Sequence, residues 1–159
     1  MQKWSNCGRK QKRRRDNMKT CELYQEASDD NIPVLLLDIP ENGSMCIQAD
    51  NGQCFIGMDS SMIEDDAIHR VHLAHELGHC KTGAFYNRWA VRDVRQKHEY
   101  RADKWAIQKM IPAPELDRAV ANGCTTIWEL SDHFDVTEDF MRRAVCLYIY
   151  GNLSTSLYF

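Results

Sequence analysis

Ile68, Val71, His72, His75 and His79 recur at the spacing of one helical face, and no other stretch constrains the fold so tightly. Ser60-Ser61 is expected to start this helix, with Ser61 and Glu64 spaced as a capping box. Asp65 and Asp66 follow in the first turn, where the helix dipole favours acids, and Gly83 is the expected stop. Within the stripe stands His75-Glu76-Leu77-Gly78-His79. Side chains four apart on a helix differ by only about 40° around the axis, one turn up. His75 and His79 therefore point the same way and can share one ion, for which neutral imidazole is a good ligand. Glu76 sits on the neighbouring flank, placed to take a proton from water rather than to replace a histidine.

A catalytic zinc needs a third protein ligand. One known pattern asks for Gly at 82 and His at 85, but the chain has Thr82 and Phe85, so the metzincin arrangement fails. Another, gluzincin-like, asks for a glutamate on a later helix. Glu99 lies twenty residues past His79, on a helix expected from Val91 to Met110 and ended by Ile111-Pro112. Asp103 follows one turn later on the same face and could accept the second N–H of His75, fixing its tautomer. Candidates to stabilise a developing oxyanion are Tyr86, Arg88, His98 and Tyr100. His72 reads as a packed neighbour of the pair, and His69 and His133 read as surface residues.

Elsewhere the chain alternates short elements. A helix is expected over 20–28, then a buried strand from Ile32 to Ile39 and a turn at Pro40-Glu41-Asn42-Gly43. Met45–Ala49 and Cys54–Met58 read as a hairpin whose Asn51-Gly52 suits a two-residue type I′ turn. Cys54–Met58 is the expected edge strand beside the histidine helix, able to bind an extended peptide by β-augmentation. Three short helices, 114–121, 125–133 and 137–150, are expected after Pro112. The fold class is α+β. A small, mostly antiparallel sheet is expected to pack on the His75–His79 helix in a zincin-like manner, followed by a helical part resembling a helix-turn-helix. The divisions are a basic arm at 1–17, a main domain at 18–112, a helical subdomain at 113–150 and a tail at 151–159.

Composition narrows the class. Apolar residues make up 43% of the 159, enough for a real core. No apolar run is long enough for a membrane span, and no signal-peptide pattern opens the chain, so a cytoplasmic protein is expected. The seven cysteines are odd in number and show no C-x-x-C spacing, which argues against a disulfide framework and a zinc ribbon. Residues 1–17 carry seven basic side chains against Asp16, a net +6, while the whole chain is −3. Met18-Lys19 has the look of a natural start, so 1–17 is expected to be a disordered arm or an upstream extension.

Taken together, three segments resemble the ImmA/IrrE family of metallopeptidases. They are His75–His79, then Glu99-Tyr100-Arg101-Ala102-Asp103-Lys104-Trp105-Ala106, then Met110-Ile111-Pro112. The order of elements matches from about residue 20 to 150. The resemblance implies His75, His79 and Glu99 as ligands of one catalytic zinc, with manganese as the alternative ion, and Glu76 as the base. It also implies a substrate: a helix-turn-helix transcriptional repressor of a phage, mobile element or stress locus. Residues 127–143 themselves look like a helix-turn-helix. Their second helix opens on Glu138 and Asp139, however, with only Arg142 and Arg143 basic, which argues for partner docking over DNA reading. The competing expectations are a DNA-binding regulator with a zinc site and a non-proteolytic antirepressor.

Overall fold

Helix α1 (Thr20–Asp29) buries Leu23 and Ala27, one turn apart, and is followed by strand β1 (Val34–Leu37). Strands β2 (Ser44–Gln48) and β3 (Cys54–Asp59) form a hairpin. Helix α2 (Asp66–Thr82) carries the histidine stripe, and α3 (Arg92–Met110) returns across it. Helices α4 (Ala113–Ala121), α5 (Ile127–Phe134) and α6 (Glu138–Tyr150) complete the chain, with a short 3-10 turn at Thr155–Leu157. This is a computed structural model, and it describes residues 19–39, 42–61, 65–87 and 89–158. The arm at 1–17, Pro40-Glu41, Glu64 and Arg88 lie outside the described residues.

The architecture is α+β, with six helices and a three-stranded sheet among the described residues. Strand order is β1-β3-β2. β2 pairs antiparallel with β3, and β1 pairs parallel with it, so the sheet is mixed rather than mostly antiparallel. β3 is therefore the central strand, with both edges occupied. It cannot take an added strand, and the edge role expected of Cys54–Met58 falls to β2 instead. β1 is also not the buried strand its composition suggests. Leu35, Leu36 and Leu37 are 48%, 58% and 45% exposed. A run of branched apolar residues sets strand tendency, but burial depends on what lies above it. α2 packs across β2 and β3, whereas β1 is held chiefly by its pairing with β3.

Two turns also differ from expectation. The hairpin loop holds three residues: Gly52 N–H donates to Ala49 O, and Ala49 N–H donates to Gln53 O, each at 2.8 Å. Gly52 has φ +85°, while Asn51 is not in the left-handed region. A three-residue loop closed by a left-handed glycine is not a type I′ pair. At α2, the Asp65 carboxylate caps the helix by accepting from Ala67 N at 2.9 Å and Ile68 N at 3.1 Å. Ser61 does not start the helix: α2 begins at Asp66, and the Ser61 N–H and hydroxyl both donate to Asp59 Oδ1. Gly83, at φ +61°, ends α2 by donating to His79 O.

Leu73, Leu77, Ile56, Met58, Ile107, Phe140 and Met141 are fully buried and join sheet, α2, α3 and α6 in one core. Burying each such side chain contributes roughly 1.5–3 kcal/mol. α5 and α6 meet across Asp135-Val136-Thr137, with Asp135 left-handed at φ 56° and the Thr137 hydroxyl capping α6. Arg70, only 3% exposed, fastens this turn to α2 by pairing with Asp135 at 2.8 Å and Asp66 at 3.0 Å. No helix among the described residues is long and apolar enough to cross a membrane.

Candidate metal centre

The helical spacing of His75 and His79 and the length of α3 bring three donor groups together. His75 Nε2 and His79 Nε2 are 3.0 Å apart. Glu99 Oε2 is 3.2 Å from His75 Nε2, and Glu99 Oε1 is 3.6 Å from His79 Nε2. Donors held about 2.0–2.2 Å from one tetrahedral ion lie roughly 3.3 Å from each other, so this spacing fits a single cation. Among the described residues, this is the group that could hold a metal ion.

Each imidazole is oriented from behind. His75 Nδ1 lies 2.9 Å from Asp103 Oδ1, and His79 Nδ1 lies 2.7 Å from the Ala84 carbonyl oxygen. Both acceptors require a proton on Nδ1, so in the neutral rings that bind a metal each Nε2 lone pair faces the shared point. Asp103 is itself fixed, because Arg143 on α6 donates to its Oδ2 at 2.7 Å.

The electrostatics favour positive charge at this point. Burial works against the Glu99 carboxylate, yet hydrogen bonds from His75, His79 and Tyr86 outweigh it and hold its pKa well below the usual range. Burial likewise works against a charged His75, but Asp103 and Glu99 prevail and push its pKa up to about 10. In Asp103, burial opposes the charge, while His75 and Arg143 lower the pKa. A site that draws protons this strongly onto its histidines offers a divalent cation the same field.

Glu76 is 6% exposed and lines the same cleft as His75, His79 and Glu99, a cavity of about 920 Å³. Ser44, at the start of β2, donates its hydroxyl to Glu76 Oε1 at 2.7 Å. Its oxygen also lies 2.9 Å from His72 Nδ1, so His72 completes a chain that holds the Glu76 carboxylate. Burial lowers the His72 pKa, keeping the ring a neutral donor. β2 floors the cleft through Ser44, Met45, Cys46 and Ile47.

Of the three described oxyanion candidates, the structure places Tyr86 in the cleft. Its hydroxyl donates to Glu99 Oε1 at 2.6 Å, and this bond, aided by burial, pushes its pKa up to about 12. Tyr86 is thus a neutral hydroxyl donor at physiological pH. His98 lies on its far side, ring centroids 6.0 Å apart, and Tyr100 bonds the Gly151 carbonyl. Both line a separate surface hollow. His69, expected at the surface, is 6% exposed and lies 2.9 Å from the Tyr24 hydroxyl. His133 is half-buried, its ring edge-on to Phe134.

Ser44 and Arg143 are the site residues that sequence reasoning missed. Their partners lie 32 and 40 positions away, and no local pattern marks either. Asp103→Ala is expected to lower metal affinity by roughly 10–100-fold while leaving the three donors in place. Competition against a chromophoric chelator measures it, and wild-type affinity in the variant would refute the orienting role. No protein-family model, curated protein or solved structure matches the chain.

Proposed function

We propose that the chain is a zinc-dependent endopeptidase of the ImmA/IrrE kind that cuts a helix-turn-helix transcriptional repressor. One observation carries the reading: two imidazoles and a carboxylate converge at single-ion spacing, with the Glu76 carboxylate buried in the same cleft. Two histidines and a glutamate are a donor set typical of catalytic zinc, whose bound form supplies Lewis acidity toward a peptide carbonyl. A purely structural site has no use for a buried, unliganded glutamate beside it.

The chain's own residues divide the remaining work. Ser44 holds one Glu76 oxygen, leaving the other to take a proton from water and deliver it to the departing amine. Tyr86, in the same cleft, would release its bond to Glu99 and turn its hydroxyl to the carbonyl oxygen as that oxygen gains charge. β2 offers the backbone edge along which an extended substrate segment can pair.

The α5–α6 pair supports docking over DNA reading. Arg142 pairs with Glu138 at 2.7 Å and Asp139 at 2.9 Å, and Arg143 turns inward to Asp103. Both cations of α6 are thereby committed to carboxylates rather than to phosphates.

The test is incubation of the zinc-loaded protein with the helix-turn-helix repressor encoded beside it, followed by intact mass. Two fragments whose masses sum to the repressor plus one water are expected. A repressor that stays whole would refute the reading. The open cleft of a small domain also implies recognition of a folded partner. Casein is therefore expected to survive at enzyme levels that consume the repressor, as read by gel, and rapid casein digestion would overturn that expectation.

A further inference from the structure

Three cysteines converge in space although they are scattered in sequence. The β2–β3 register pairs Cys46 with Ile56 and Gln48 with Cys54, which puts both thiols on the helix-facing side of the hairpin. Cys80 faces them from α2, which packs on both strands, and it lies close enough to each thiol to perturb its ionisation. Cys54 and Cys80 also line one surface hollow of about 480 Å³ beside Gln53 and Lys81, while Cys46 lines the main cleft. Small oxidants therefore have an approach from both sides. All three are free thiols. Their donor atoms do not form a compact ligand group, since among the described residues that geometry occurs at His75, His79 and Glu99. Cys80 thus has two alternative thiol neighbours rather than membership of a metal cage.

We propose that Cys46, Cys54 and Cys80 form an oxidation site in which Cys80 closes a disulfide with either Cys46 or Cys54 when a hydroperoxide is present. The Cys80 sulfur attacks the peroxide O–O bond, giving a sulfenic acid and releasing one water from hydrogen peroxide. The neighbouring thiol then attacks that sulfur, forms the S–S bond and expels the sulfenic oxygen as a second water. Two thiols lose two electrons and two hydrogens, and one peroxide is reduced to two waters. Cys80 lies one turn beyond Glu76 on the same side of α2, and Cys46 lines the same cleft as Glu76. A Cys46–Cys80 bond ties β2, the floor of the cleft, to the helix bearing Glu76. A Cys54–Cys80 bond ties the central strand instead and leaves Cys46 beside Glu76.

The experiment treats the folded protein with hydrogen peroxide, denatures it, alkylates free thiols and reads intact mass, so it does not depend on peptidase activity. Circular dichroism first establishes that each variant is folded. Wild type is expected to lose two alkylatable thiols and about 2 Da, both restored by dithiothreitol. Cys46→Ser and Cys54→Ser are each expected to lose two thiols still. Cys80→Ser is expected to lose none, and the double variant Cys46→Ser/Cys54→Ser to form no disulfide, losing only the Cys80 thiol as a sulfenic or higher acid. Wild type retaining every thiol, gaining oxygen in place of the loss, or losing the same pair in Cys80→Ser would overturn the proposal.

Discussion

Glu76→Gln is expected to keep the fold and the metal and to lower repressor cleavage roughly 10²–10⁴-fold, the usual contribution of a positioned acid–base group. Glutamine has nearly the same shape, and its amide oxygen can still accept the Ser44 hydroxyl that lies 2.7 Å from Glu76 Oε1. The donor triad is untouched, because His75, His79 and Glu99 meet without Glu76. What glutamine cannot do is take a proton from water at neutral pH. Metal content by mass spectrometry and cleavage by intact mass are to be read on the same preparation. Retained metal with lost cleavage supports a general base. A variant that cuts at the wild-type rate would remove Glu76 from the mechanism. One that inactivates the repressor without cutting it would favour the antirepressor reading.

The second large effect belongs to Gly78, whose place between Leu77 and His79 gives no sign in sequence of what it faces. A Cβ there would sit 2.5 Å from the Ala102 carbonyl oxygen and 3.1 Å from Ala102 Cα, both backbone atoms of α3 that no side-chain rotation can move. Gly78→Ala must therefore push α3 off α2. Helix propensity favours alanine by about 1 kcal/mol, but overpacking of this kind costs about 1–3 kcal/mol or more, and rigid backbone puts it at the upper end. The net cost of about 2 kcal/mol predicts a fall in melting temperature of roughly 4–8 °C. Metal affinity should fall as well, even well below the melting point, because Ala102 lies between Glu99 and Asp103 on the helix being displaced. Wild-type melting and metal affinity in this variant would show that the close approach does not set the site.

The clearest readings from sequence were those in which the controlling residues are near neighbours. His75 and His79 share a face because the helix repeats every 3.6 residues, and that holds wherever the helix sits. Gly83 and Ile111-Pro112 end α2 and α3 for equally local reasons: a left-handed φ in one case, a ring that cannot continue a helix in the other. Glu99 and Asp103 were also legible, one turn apart on α3, and the structure brings both to the histidines.

Expectations failed where distant groups compete. Ser61 has the sequence of a cap, but Asp59 engages it, and Asp65 caps α2 instead. β1 reads as buried, yet its leucines are open because α2 covers its neighbours. The chain by itself determined a helix with two imidazoles and a carboxylate flank, and a second helix able to supply a third donor. Only the tertiary structure decided that β2 rather than β3 borders the cleft, that Ser44 steadies Glu76 and that Arg143 steadies Asp103. Periodicity is a property of neighbouring residues, whereas strand order and hydrogen bonds across 32 or 40 positions are properties of packing.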